Sequence, residues 1–153
     1  MIELESHHLL AIRTHAESTY PDECCGIIVG HLSDDGKRVV EIWPMENAWN
    51  EETARELPEG GGVTSRESRY AIAPRDMLNA QKQARDRNLD IIGIYHSHPD
   101  HPAIPSEMDR AIAWPVYSYI IVSVPQGKAG ELRSWCLDDN HQFQPEEVIA
   151  FSE

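Results

Sequence analysis

The chain is short of basic residues, of cysteine and of long apolar runs, and each shortage removes a class of function. Ten arginines and three lysines stand against 26 acidic side chains, for a formal net charge of −13. Nucleic-acid binding draws on Lys and Arg to displace phosphate counterions, so this balance opposes it. It favours a basic partner, or simply solubility. No run of about eighteen apolar residues is present, which leaves no candidate for a membrane-spanning helix. The opening MIELESHHLL is acidic and lacks a basic region followed by an apolar stretch. No secretory leader is therefore expected, and the expected location is cytoplasmic. The three cysteines are Cys24, Cys25 and Cys136. An odd count with two adjacent members does not make a disulfide framework. Neighbours on a strand also point to opposite faces. These cysteines read as reduced, at least partly buried thiols, as in a reducing compartment.

What is present is an ordinary globular composition, 41% hydrophobic and 25% charged over 153 residues. That predicts a single domain, residues 1–153, around one core. Ser6 is placed to cap a first helix with Leu9, Ile12 and Ala16 on one face, ending before Pro21. Cys25 to Gly30 is a short apolar run bounded by glycines, hence a buried strand. Asp34-Asp35-Gly36 is turn chemistry, and Arg38 to Trp43 reads as the returning strand of a hairpin. Residues 51–68, with one proline and three glycines in their middle, read as a mobile loop of functional importance. Tyr70 to Ile72 is expected to be extended, and Pro74 opens a helix reaching about Asn88. Ile91 to Tyr95 is a second buried strand. The segment from His96 to Pro105 carries three prolines and reads as a loop. A short helix capped by Ser106 follows, then strands at 117–124 and 131–136. From Pro145 onward a short helix or frayed tail is expected. The order α-β-β-α-β-α-β-β predicts a mixed α/β (α+β) fold, a curved mixed sheet flanked by helices. The four tryptophans read as core or half-buried aromatics, with Trp49 placed to line a peptide groove.

The chemistry gathers in Tyr95-His96-Ser97-His98-Pro99, followed by Ser106 and Asp109. Histidines at i and i+2 at a strand end project from one side. Ser106 and Asp109, at i and i+3, share one face of a helix. The intervening prolines allow that helix to fold back over the strand end. His96, His98 and Asp109 then occupy three corners of a tetrahedral zinc site, and the open fourth corner marks a catalytic rather than a structural metal.

This pattern, His-Ser-His-Pro, six residues, Ser, two residues, Asp, resembles the motif of the JAMM (MPN+) zinc metalloproteases. Pro21-Asp22-Glu23-Cys24-Cys25-Gly26, opening an apolar strand, is similar to the family's upstream segment. The likeness runs from about Tyr20 to Val124 and implies a JAMM/MPN-like, cytidine-deaminase-like architecture. It implies one catalytic Zn2+ on His96, His98 and Asp109. It also implies Glu23 as general base and then acid, and Ser106 as donor to the oxyanion. No ligand of the motif is missing, which implies an active enzyme. Because the chain is short, it looks like the compact prokaryotic members. Those act on ubiquitin-like or sulfur-carrier proteins and hydrolyse a peptide-like bond at the carrier's Gly-Gly C-terminus.

Two other readings stay open at this point. One is an amidohydrolase acting on a small molecule, with the same metal site. The other is a non-catalytic MPN-type binding module that uses the metal only to hold its fold. A structural zinc favours four protein ligands, commonly with cysteine, and the motif has three and none. A fourth ligand at His101 would close the water position, so His101 is assigned to the substrate side or to solvent. Cys24 and Cys25 are assigned to packing, and His7, His8, His15, His31 and His141 to no role.

Overall fold

The computed structural model describes residues 1–49 and 69–152. The loop expected at 51–68 lies outside the described residues. Among those described, the elements run β1 (Ile2–Glu5), α1 (Ser6–Thr19), β2 (Cys25–Ser33), β3 (Gly36–Met45), α2 (Pro74–Asp86), β4 (Asp90–Pro99), α3 (Glu107–Ile112), β5 (Ser118–Val124), a 3-10 turn (Pro125–Gly127), β6 (Leu132–Leu137), β7 (Phe143–Glu146) and β8 (Val148–Phe151). The strands form one mixed sheet in the order β7-β6-β5-β4-β2-β3-β1-β8. β4–β5, β1–β3 and β1–β8 are parallel pairs; the other pairs are antiparallel. The mixed, curved sheet with helices against it is the architecture expected from the sequence.

β7 and β8 occupy opposite edges of the sheet, yet only Glu147 separates them in the chain. The sheet therefore curls until its two edges meet, and the Glu147 carbonyl accepts the Ile2 N–H at 2.9 Å across that junction. Inside the curl, α1 presents Ile12 and Ala16 to Ile2, Leu4, Ile28, Ile92, Ile120 and Val122. On the other face, Ala80 and Ala84 of α2 pack on Ile27 and Val29. β2 thus buries both faces from Cys25 to Gly30, as its unbroken apolar run requires. Gly26 is needed there, since a Cβ would lie 2.1 Å from the Tyr95 ring. That ring's hydroxyl reaches Nδ1 of His15 on α1 at 2.7 Å.

Several expectations are corrected. β1, β7 and β8 were not foreseen, and the C-terminal segment is two edge strands rather than a helix or frayed tail. Pro145 is tolerated in β7 because, among the described residues, that strand is at a sheet edge and pairs only with β6. Ser6 is the first helical residue, not the cap. Glu5 caps α1 through a reciprocal box with His8, and Ser6 Oγ instead donates to the Phe151 carbonyl at 2.9 Å. Tyr70 to Ile72 does not form a strand. The sheet extends through His96 to Pro99, which are strand rather than loop, because β5 and β2 pair with them. Trp114 is 64% exposed and so is not a core aromatic. Trp49 is buried and offers no groove surface.

The closed end of the curl holds a buried carboxylate, Glu146. It accepts Ser134 Oγ at 2.8 Å and lies 3.6 Å from Lys37 Nζ. Burial alone would raise its pKa; the surrounding hydroxyls and Lys37 outweigh this and hold it below the usual value. A depressed folded-state pKa stabilises above the unfolded value of about 4.3, and that contribution fades as pH falls through the lower one. Glu146→Gln is accordingly expected to lower the melting temperature at pH 7, with a deficit that narrows under acid. Thermal melts from pH 3 to 8 measure this, and an equal deficit at every pH would contradict it.

Candidate active site

Strand register brings the site together. Cys25 lies opposite His96 in the antiparallel β2–β4 pair. Glu23, two residues before Cys25, therefore falls beside the end of β4 that carries His98. The Ser97 N–H donates to the Cys24 carbonyl at 3.2 Å, and the Cys24 N–H donates to Ser97 Oγ at 2.7 Å. Beyond Pro99 the chain reverses at Asp100, whose φ is +59°. Its carboxylate accepts the Gln126 N–H at 2.7 Å and the Tyr20 hydroxyl at 2.6 Å. The return leg enters α3 through a capping box. Ser106 Oγ accepts the Asp109 N–H at 3.0 Å, and the Ser106 N–H donates to Asp109 Oδ2 at 2.9 Å. The cap thus also aims the Asp109 carboxylate at the strand.

His96, His98 and Asp109 meet as a triangle of ligand atoms, all three side chains buried. Nε2 of His96 and Nε2 of His98 are 3.1 Å apart, and Asp109 Oδ2 lies 3.1 Å from the second and 3.3 Å from the first. A tetrahedral ion with bonds of about 2.0–2.1 Å separates its ligand atoms by about 3.3 Å. Two imidazole nitrogens and a carboxylate oxygen facing one point are what a cation satisfies. The other nitrogen of His98, Nδ1, sits 2.9 Å from the Pro102 carbonyl. Donation there leaves the Nε2 lone pair for a metal. The His96 ring is wholly buried and stacks on Tyr70, with centroids 4.4 Å apart and planes at 23°. Burial lowers the His96 pKa, which favours the neutral ring that a metal ligand needs. The group can hold a metal ion.

Glu23 is 5% exposed, and its Oε1 has no hydrogen-bond partner among the described residues. Burial raises its pKa well above the usual carboxylate range; the Asp109 charge adds to this and Arg69 partly offsets it. Beside the triangle is a cavity of about 280 Å³ lined by Glu23, Arg69, His98, His101, Pro102, Ile104 and Ser106. Its wall combines a carboxyl whose proton burial makes harder to lose with a hydroxyl whose proton the cap does not use. His101 is exposed, lines the cavity and stays outside the triangle.

A family description, prokaryotic homologues of the JAB domain, matches residues 5–138. The chain belongs to this JAB family. A desampylase of Pyrococcus furiosus is 26% identical to this JAB chain over 149 residues, covering 96% of it and 89% of the relative. A CysO-cysteine peptidase of Mycobacterium bovis is 30% identical over 130 residues, covering 84% and 77%. A solved structure from Desulfitobacterium hafniense superposes with a TM-score of 0.80 at 28% identity, over 100% of this chain and 94% of that one.

The structure thus brings together all five residues singled out from the sequence. It adds three that were not: Tyr70 against His96, Arg69 in the cavity wall, and Asn47 bonded to the Glu23 carbonyl at 3.0 Å. None carries a local spacing signal, because each reaches the JAB site from another part of the chain. Cys24 and Cys25 belong to separate packing clusters. Burial pushes the Cys24 thiol up to about 12 and Cys25 higher still. A thiol so protonated is a poor nucleophile. Iodoacetamide at pH 8 should therefore leave both unmodified in the folded protein, as read by peptide mass. Rapid labelling of either would show an accessible thiolate beside Glu23.

Proposed function

We propose that the chain is a zinc-dependent peptidase or isopeptidase that hydrolyses a peptide-like bond at the C-terminus of a ubiquitin-like or sulfur-carrier protein. The observation that carries this reading is the His96–His98–Asp109 triangle beside a cavity walled by the buried Glu23, whose Oε1 has no hydrogen-bond partner among the described residues. A set of two imidazoles and one carboxylate suits zinc and leaves a coordination position open. When bound, such a metal supplies Lewis acidity, which acidifies water and polarises a carbonyl.

The chain's own residues supply the rest. Glu23, in its ionised form, takes a proton from the attacking water and passes it to the departing amine. Ser106 keeps its backbone cap and turns its hydroxyl proton toward the oxygen on which negative charge develops. Tyr70, stacked on His96, and the Pro102 carbonyl, bonded to His98, fix the orientation of the two rings. Desampylases and CysO-cysteine peptidases by name act on conjugates of small carrier proteins, and this chain is similar to both over most of its length. A slim Gly-Gly tail is a substrate end small enough to approach a cavity of about 280 Å³ beside the triangle.

The test is incubation with a carrier ending in Gly-Gly joined to cysteine, and with a carrier–lysine isopeptide, each with and without a zinc chelator and followed by mass. Cleavage after the second glycine is expected, lost on chelation and regained with zinc. Because Glu23 must be ionised to act, turnover should fall on the acid side at a pH above the ordinary carboxylate value of about 4.3. Cleavage surviving complete zinc removal would refute the mechanism. Cleavage only of small amides would point to an amidohydrolase, and tight carrier binding without cleavage to a binding module.

A further inference from the structure

Asn47, two residues beyond β3, uses the whole hydrogen-bonding capacity of its side chain at the edge of the site. Nδ2 donates to the Glu23 carbonyl at 3.0 Å and to the Arg69 carbonyl at 2.9 Å. Oδ1 accepts the Trp49 N–H at 3.0 Å and the Ala71 N–H at 3.2 Å. Two donors and two acceptors is all an asparagine has. Flipping the amide would set oxygen against two carbonyls and nitrogen against two N–H groups, so the network fixes its orientation. A purely local turn asparagine would need only the bond to Trp49, two residues on. The other three bonds reach 22 to 24 residues away.

Those distant partners are parts of the site. The peptide group joining Glu23 to Cys24 is clamped at both ends: Asn47 takes its carbonyl and Ser97 Oγ takes its N–H. Ser97 stands between His96 and His98. On the other arm, the bonds to Arg69 and Ala71 bracket Tyr70, whose ring stacks on His96. A closed circuit results, from Glu23 through Asn47 and Tyr70 to His96, and back through Ser97 and Cys24. We infer that Asn47 is a positioning residue that indexes Glu23 to His96 by holding the Glu23 carbonyl and the backbone around Tyr70 in one side-chain amide. This rests on the proposed peptidase reading for its effect on turnover, but not for its geometry.

Asn47→Asp isolates the claim. It keeps an oxygen to accept Trp49 and Ala71, and replaces the donor to Glu23 and Arg69 with a second oxygen facing two carbonyls. A misplaced reacting group is costly even at small displacement, so kcat is expected to fall roughly ten- to a hundredfold with KM changed by no more than about twofold. Asn47→Ala should lower kcat similarly and in addition release the Ala71 and Trp49 amides to fast hydrogen exchange, which Asn47→Asp should leave protected. The Cys24 amide and the His96 ring should shift in the NMR spectrum of either variant, while β6 and β7 resonances stay in place. Wild-type kcat in the folded Asn47→Asp protein would overturn the inference. A loss of turnover that merely tracks the unfolded fraction would do the same. A wild type that cleaves no carrier conjugate would count against the peptidase reading alone; unshifted Cys24 and His96 signals would then still overturn the role of Asn47.

Discussion

The site depends on one alignment, Cys25 opposite His96 in the β2–β4 pair. A slip of one residue would turn every side chain of β2 to the other face and carry Glu23 away from the triangle. The alignment is held by packing. β2 alternates Ile28 into the curl and Ile27 and Val29 toward α2, and both faces are covered, so no slipped register buries the same surface. Gly26 adds a steric lock, since the Tyr95 ring occupies the space of its absent side chain. The proposed catalytic arrangement, spanning 86 residues of sequence from Glu23 to Asp109, thus rests on the same contacts that make the core.

The opposite shifts of His96 and Glu23 follow from where each is buried. Both lie in low dielectric, which disfavours charge on either. Burial therefore lowers the histidine and raises the glutamate. The first effect favours metal ligation, and the second makes the carboxylate more basic, as the proposed proton-transfer role requires. Asp109 is treated differently: burial would raise it, and the two imidazoles, joined by the Ser106 N–H, keep it ionised.

The legible parts of the site are those coded locally. His96 and His98 two apart on a strand, and Ser106 and Asp109 three apart on a helix, declare their geometry by spacing. Glu23 carried no such signal and rested on family resemblance, because only the β2–β4 register places it. Asn47 and Tyr70 were illegible for the same reason, their partners lying more than twenty residues away. In the fold, long apolar β2 and β4 and the helix opened by Pro74 stood out. The four-residue strands β1, β7 and β8 did not. They are too short to display a period, β7 contains Pro145, and their pairing exists only because the sheet curls back on itself. Trp114 shows the limit of composition: its residue type argued for burial, and its place just past α3 leaves it in solvent.

The central claim is that metal binding and proton transfer reside in separate side chains of one site. Glu23→Gln keeps the shape of the residue and removes its basicity. Metal content and turnover of a carrier conjugate, measured on the same purified sample of that variant, test the claim most directly. The account predicts one zinc per chain, as in the wild type, with turnover reduced by about a hundredfold or more. Zinc lost along with turnover, or turnover retained, would contradict it.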